Sequence, residues 1–175
     1  MRRLTAAVLG IVVASLVTAC GADDPSPAKE STMSKTSTVS MESAIADAEK
    51  MRATMFRELA AAFGSKDWAV PPNDDGPTRA ACNSDDGAET VILPAYGFFG
   101  AYPEEDWKKA AKIVQEVGRR HGFDRIKVVV DRPGDFSMTG LSSDGGSYDF
   151  GMAKNTVLGI RTGCHVWDDK PTAGG

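Results

Sequence analysis

Two stretches of the chain place apolar residues three and four positions apart, which is the spacing of an amphipathic helix. The first covers residues 41–63, where Ser40 can cap the start and Gly64 can end the helix. Its apolar face comprises Ile45, Ala48, Met55, Leu59, Ala62 and Phe63. Met51 and Met55 are interpreted as core residues rather than as a soft ligand surface, because packing is the commoner role of methionine.

The second helix is predicted for residues 103–121. Pro103 suits its first turn, acidic residues 104–106 lie at the positive end of the helix dipole, and basic residues 119–121 lie at the negative end. Gly122 ends it. The buried stripe consists of Trp107, Ala110, Ala111, Val114 and Val117. The acidic run is therefore interpreted as a dipole partner and not as a pair of glycosidase carboxylates, since consecutive helix residues do not face one another across a cleft.

Four segments have the composition or the alternation of β-strands. They are residues 89–99, 125–131, 147–152 and 156–164. Pro94 favours either an edge strand or a bulge in the first of them. Residues 132–135 are predicted as a turn, and residues 136–145 as a polar, glycine-rich connection.

The resulting order, α-β-α-β-β-β, predicts an α+β fold with two helices packed on one face of a mainly antiparallel four-stranded sheet. The long irregular stretch of residues 65–87 needs fixing points, which Trp68 and Cys82 can supply. We expect a single domain over residues 40–168 and a disordered tail over residues 169–175.

The N-terminus has the features of a secretory signal. Arg2 and Arg3 precede an apolar stretch, residues 6–17, that is too short to span a bilayer comfortably. Residues 17–20, Val-Thr-Ala-Cys, are similar to a bacterial lipobox, so residues 1–19 are predicted to be removed and Cys20 to be diacylated. The alternative is an ordinary signal cleaved before an incidental Cys20.

Long acyl chains such as palmitate on Cys20 would hold the chain at the membrane, since each buried methylene adds about 0.8 kcal/mol. We therefore expect a lipid-anchored protein on the extracytoplasmic face of the cell membrane. Residues 20–39 contain almost nothing to bury and are predicted to be a flexible tether.

Cys82 and Cys164 form an even pair once Cys20 carries lipid. Thiols of exported proteins tend to be oxidised, so we predict a disulfide between them. The rival hypothesis is a reactive thiol at Cys164 beside His165, which would leave Cys82 without a role.

The charge balance argues against a nucleic-acid partner. Cleavage removes Arg2 and Arg3 from 20 basic residues, which stand against 24 acidic ones, so the mature net charge is about −6 (20 − 2 − 24). Nucleic-acid binding depends on clustered cations, and basic residues here occur in runs of at most two.

The order of several short motifs resembles the LppA-like lipoproteins of mycobacteria. The motifs are Cys20 in its lipobox; Trp68, Asp74-Asp75, Arg79 and Cys82; Asp106-Trp107, Ala110-Ala111-Lys112-Ile113-Val114 and Gly122; then Gly146-Ser147-Tyr148-Asp149-Phe150, Thr156-Val157-Leu158 and Thr162-Gly163-Cys164. The resemblance covers most of the mature chain. It implies a cell-envelope lipoprotein with an α+β fold and a disulfide, and it implies no catalytic residues, because the family has no settled activity.

The polar residues do not form the motif of a familiar enzyme. Nucleophilic hydrolysis needs a nucleophile, a base and an orienting group, and the sequence contains no Gly-x-Ser-x-Gly segment. His121 is interpreted as a charge partner at the helix end, His165 as a surface residue, and residues 142–144 as a loop. We therefore expect no enzyme, and no metal or cofactor, since two histidines without a free thiol do not suit a zinc site.

Aromatic residues are the remaining candidates for a binding site. They are Trp68, Tyr96, Phe98, Phe99, Tyr102 and Trp107. They can be core residues, or they can line an apolar cleft for a ligand. The leading hypothesis is a non-catalytic interaction module that uses an exposed patch to bind another envelope protein. The alternative is a carrier of a lipid or other small apolar ligand in a helix–sheet cleft, and an enzyme comes last.

Overall fold

The computed structural model describes residues 38–74, 76–84 and 86–169. Its elements in chain order are α1 (Met41–Phe63), β1 (Thr78–Ala81), β2 (Glu89–Phe99), a 3₁₀ turn (Glu104–Asp106), α2 (Trp107–Arg120), β3 (Arg125–Arg132), β4 (Asp135–Leu141), β5 (Ser147–Met152) and β6 (Asn155–Arg161). The predicted signal segment of residues 1–19, Cys20, most of the tether and residues 170–175 lie outside the described residues.

Helix α1 has the predicted bounds. The Ser40 hydroxyl accepts a hydrogen bond from the N–H of Ser43, which satisfies one of the free donors of the first turn. Met51 and Met55 are fully buried, which confirms that these methionines belong to the core. No helix of the described part of the chain is long and apolar enough to cross a membrane.

Helix α2 is shorter than predicted. Pro103 precedes a 3₁₀ turn, and the α-helical hydrogen bonding begins at Trp107 and ends at Arg120. The predicted stripe is buried, namely Trp107, Ala110, Ala111, Val114 and Val117.

The prediction of a four-stranded sheet is wrong, because the sheet has six strands in the order β1-β2-β6-β5-β4-β3, with every neighbouring pair antiparallel. Strand β1 lies in the stretch predicted as irregular, and all of its side chains are exposed, so it has no apolar alternation to detect. Strand β4 lies in the predicted glycine-rich connection. Phe136 and Met138 point inward there, but Ser137, Thr139 and Gly140 lower the apolar content that usually marks a strand.

Pro94 lies in an interior strand, where the register between β2 and β6 shifts between Leu93 and Tyr96. Pro94 therefore lies at a bulge and not in an edge strand. The shift also changes which positions face the helices. Val91 and Leu93 are buried before it and Phe98 after it, whereas Ile92 and Phe99 are exposed on the opposite face.

The core lies between the two helices and one face of the sheet. Its largest fully buried side chains include Tyr148 and Phe150 of β5, Leu158 of β6 and the α1 methionines. The other face of the sheet exposes apolar side chains, among them Ile92, Phe99 and Val157. The two helices on one face of an antiparallel sheet match the predicted α+β class.

Candidate functional site

The predicted disulfide between Cys82 and Cys164 is present, with the Cα atoms 6.1 Å apart. Cys82 follows β1, and Cys164 lies just after β6. The bond therefore fixes the long connection between α1 and β2 to the end of the sheet. Because both sulfur atoms are in this bond, the rival hypothesis of a reactive Cys164 thiol is wrong.

The prediction that His165 is a surface residue is wrong, because its side chain is only 4% exposed. Its backbone pairs with Glu89 at the start of β2 through two hydrogen bonds of 2.9 Å. Its Nε2 atom lies 3.3 Å from a carboxylate oxygen of Asp144, and its Nδ1 atom lies 2.9 Å from the carbonyl oxygen of Val39. The sequence could not show this burial, because both partners are distant along the chain.

Both ring nitrogens of His165 therefore face oxygen acceptors, which the doubly protonated imidazolium satisfies. The hydrogen bond with the Asp144 carboxylate raises the pKa of His165 above its usual value, helped by the Val39 carbonyl and opposed by burial. The pKa of Asp144 is lowered, first by the hydrogen bond from His165 and further by donors on Ser142 and Gly146. The pair is an ion pair that links the β4–β5 loop to the segment after β6.

Ser142, Asp144 and His165 contain the residue types of a hydrolase triad but not its connectivity. The Ser142 hydroxyl donates to Asp144 and not to His165. In a working triad the histidine accepts the proton of the nucleophile, and the carboxylate lies behind the histidine. Here the carboxylate lies between the two, so the arrangement suits a structural ion pair.

The structure divides the predicted aromatic residues among three places. Trp68 stacks on Phe56 of α1 with ring centroids 4.4 Å apart and contacts Phe98 edge-on at 4.8 Å. Tyr102 adjoins Phe98, and burial raises the pKa of its hydroxyl to about 12. Tyr96 packs beside Phe56 with centroids 5.7 Å apart. These rings join α1 and the residue 64–68 segment to β2.

Trp107 lies in a different part of the core. Its ring stacks on Phe136 at 5.5 Å and on Phe150 at 5.3 Å. Phe99 lies on the opposite face of the sheet and is 94% exposed. The six predicted residues therefore do not line one common cleft.

Phe99 borders a shallow apolar groove of about 370 Å³ on the open face of the sheet, which we call the Phe99 groove. It is lined by Asp67, Ala69, Val70, Pro71, Pro72, Ala95, Gly97, Phe98, Phe99, Asn155 and Val157. The wall formed by residues 67–72 is held against β2 by a pair of 2.9 Å hydrogen bonds between Ala69 and Gly97. Asp67 is the charged residue of this lining.

Sequence reasoning identified Phe99 but missed the wall of this groove. The apolar segment Ala69-Val70-Pro71-Pro72 within an otherwise polar stretch was the available signal. Gly97 of β2 pairs with Ala69 of this wall, and a Cβ atom at Gly97 would lie 3.0 Å from the Thr156 carbonyl oxygen of β6.

Comparisons with known proteins place these features in a family. The sequence model of the LppA family, described as a lipoprotein confined to pathogenic Mycobacterium, matches residues 22–168. A search of curated proteins found no match.

Two solved structures have a similar fold. One is LppA from Mycobacterium tuberculosis, with a TM-score of 0.58 and 20% sequence identity, covering 75% of this chain and 84% of that one. The other is a DUF4853 family protein from Actinomyces odontolyticus, with a TM-score of 0.54 and 15% identity, covering 78% and 75%. Because the family match spans most of the sequence, this chain belongs to the LppA family of mycobacterial envelope lipoproteins.

Proposed function

We propose that this lipoprotein is held by lipid on Cys20 at the outer face of the membrane, and that its domain is a non-catalytic module that binds another envelope protein. The binding surface is the Phe99 groove. The observation that carries the proposal is the exposure of Phe99, 94% accessible beside an apolar groove.

An apolar side chain that stays exposed to water does not contribute the free energy that its burial would supply. Burial of a phenylalanine side chain contributes about 1.5–3 kcal/mol relative to exposure. Phe99 makes almost none of this contribution to folding, and Val157 beside it is 43% exposed. Contiguous apolar surface of this kind is typical of interaction sites.

The charge of the groove favours a protein segment over a lipid surface. Among the described residues that line it, Asp67 carries a carboxylate and none is Lys or Arg, whereas membrane-surface sites attract anionic lipid headgroups through Lys and Arg. The partner we propose is an apolar segment with a basic residue beside it. Its apolar side chains would cover Phe99 and Val157, and its cation would pair with Asp67.

The packing between α2 and the sheet supports an interaction module over a carrier that holds its ligand there. The space between α2 and the sheet is filled where Trp107 stacks on Phe136 and Phe150. Tyr148, beside this group on β5, is fully buried.

The proposal is tested by comparing the chemical accessibility of two introduced thiols in envelope preparations and in purified protein. Val157→Cys places a thiol in the groove, and Val128→Cys places one at an exposed position of β3, where the valine is 63% accessible. We expect a bulky maleimide to label the position-128 thiol equally in envelope preparations and in purified protein. The position-157 thiol should be protected in the envelope and labelled in purified protein.

Phe99→Ser in the Val157→Cys background should restore labelling in the envelope, because the partner would lose its main apolar contact. Equal labelling of position 157 in the envelope and in purified protein would show that the groove is uncovered and would overturn the proposal.

A further inference from the structure

A second groove lies on the helix-covered side of the sheet, between α1 and the strands β1 and β2. Its volume is about 390 Å³, and we call it the Arg52 groove. Ile45, Glu49 and Arg52 line it from one face of α1, at positions i, i+4 and i+7. Arg79 of β1 and Tyr96 of β2 line it from the sheet. It shares no lining residue with the Phe99 groove.

The guanidinium of Arg52 is largely buried but has long contacts. Its side chain is 12% exposed, and its Cζ atom lies 4.4 Å from the centroid of the Tyr96 ring. Nη1 donates to the Pro94 carbonyl oxygen at 3.4 Å, and Nη2 lies 4.0 Å from the Glu49 carboxylate. Charge-assisted hydrogen bonds are normally about 2.7–2.9 Å. A buried cation with five N–H donors and such long contacts retains the capacity to bind another anion.

Arg79 supplies a second cation to the same groove. Its side chain is 33% exposed, lies 3.9 Å from Glu89 and is centred 5.6 Å from the Trp167 ring. The Trp167 indole N–H donates to the same Glu89 side chain at 2.8 Å. These contacts place the guanidinium over an aromatic face, and a guanidinium in this position still donates hydrogen bonds from its N–H edges.

The lining sets the charge and the polarity of the ligand. Two arginines line the groove, and the carboxylates that pair with them lie at long range, Glu49 4.0 Å from Arg52 and Glu89 3.9 Å from Arg79, so a ligand carboxylate has room to bind the guanidinium groups more closely. The lining also contains the apolar side chains of Ile45, Val91 and Leu93. A ligand that fits both properties carries a carboxylate and an apolar part.

We propose that the Arg52 groove binds an amphipathic monocarboxylate, a short aliphatic chain that ends in a carboxylate. The planar carboxylate matches the forked donors of Arg52 and Arg79, and the chain lies against Ile45 and Leu93. The groove volume is near the lower end of small-molecule sites, which run from about 300 to 1,000 Å³, so the chain is short. This proposal is independent of the Phe99 groove and of its protein partner.

The test is calorimetric titration of the complete mature chain, made lipid-free by Cys20→Ala, with octanoate and with octanol. We expect saturable binding of octanoate and at least tenfold weaker binding of octanol. Arg52→Gln should weaken octanoate binding at least tenfold. Arg57→Gln removes the same charge from an exposed position of the same helix, where the arginine contacts Thr54, and should leave binding unchanged.

A second variant, Arg79→Gln, keeps the proposal testable if the Arg52→Gln protein does not fold. Arg79→Gln changes a more exposed side chain and should also weaken octanoate binding, while the Trp167 indole N–H signal of the original protein should shift on titration. Three results would each overturn the proposal: no saturable octanoate binding, equal affinity for octanol, or unchanged affinity in both arginine variants. Displacement of octanoate by an equal concentration of inorganic phosphate would also overturn it, because the apolar lining would then contribute nothing.

Discussion

Tyr148 occupies a space that two glycines leave open, and Gly140→Ala is the perturbation that tests this packing. A Cβ atom at Gly140 would lie 2.1 Å from Cε1 and 2.3 Å from Cζ of the Tyr148 ring. Favourable contacts between carbon atoms lie near 3.5–4.0 Å. Gly118 of α2 also lies against this ring, since a Cβ atom at Gly118 would lie 2.5 Å from Cε1. Tyr148 is fully buried, and Phe123 packs against it at 5.5 Å.

The expected loss in the free energy of unfolding follows from these contacts. Overpacking a core costs about 1–3 kcal/mol, and a large aromatic side chain displaced from the core costs more, about 3–5 kcal/mol when it is lost. We expect Gly140→Ala to lower the free energy of unfolding by about 3 kcal/mol, since the ring is fully buried and also packs against Gly118 and Phe123. For a domain of this size the melting temperature should fall by roughly 10 °C.

Gly159→Ala is the matched control on the open face of β6. There the nearest atom to an added Cβ is the Ala95 methyl at 4.0 Å. Its effect should stay within about 0.5 kcal/mol, as for other surface substitutions. Both variants are measured by guanidinium unfolding with the disulfide intact. A Gly140→Ala protein within 0.5 kcal/mol of the unmodified protein would refute the description of this core.

Three further predictions concern the disulfide, the buried ion pair and the anchor. Cys82→Ser should lower the unfolding free energy by about 4–5 kcal/mol, because the bond to Cys164 closes a loop with a sequence separation of 82; an unchanged unfolding midpoint would contradict this. The raised pKa of His165 gives stability that is full below pH 6.5, its unfolded value, and is lost as the pH rises through its folded pKa. The lowered pKa of Asp144 gives stability that is present above its unfolded pKa of 3.8 and is lost as the pH falls through its folded pKa. The stability lost in His165→Gln, measured by unfolding at several pH values, should therefore be largest between about pH 4 and 6.5 and should shrink toward pH 9; a difference independent of pH would count against the ion pair. Cys20→Ala should move the protein from the membrane to the soluble fraction, and continued sedimentation with membranes would contradict lipid anchoring.

The helices could be predicted because their signals are local. Ser40 caps α1, Gly64 follows it, and the apolar positions between them repeat at helical spacing. Strand β4 could not be found in the same way, because one of its buried positions, 140, is a glycine and not an apolar side chain. Glycine is needed there to leave space for the Tyr148 ring on the neighbouring strand. That requirement depends on the pairing of β4 with β5, which is a property of the folded sheet.

The candidate sites were harder to predict than the strands, because they are formed by residues that are distant in the sequence. The even cysteine count indicated the disulfide, but nothing near His165 in the sequence indicates that Asp144 and Val39 bury it. The face on which Phe99 lies depends on the register shift after Leu93, because strand alternation restarts there. Pro94 indicated an irregularity in this strand but did not show which side chains after it would face the helices.

Photo-cross-linking in living cells shows whether the Phe99 groove binds a protein. A photoreactive amino acid is placed at Val157 in the full-length lipoprotein, and a matched one is placed at Val128. We expect a discrete protein adduct from position 157 that is absent from position 128 and is lost in Phe99→Ser. Mass spectrometry should map this adduct to an apolar segment with a neighbouring Lys or Arg. Adducts with lipid alone, or the same adducts from both positions, would show that the Phe99 groove does not bind a protein.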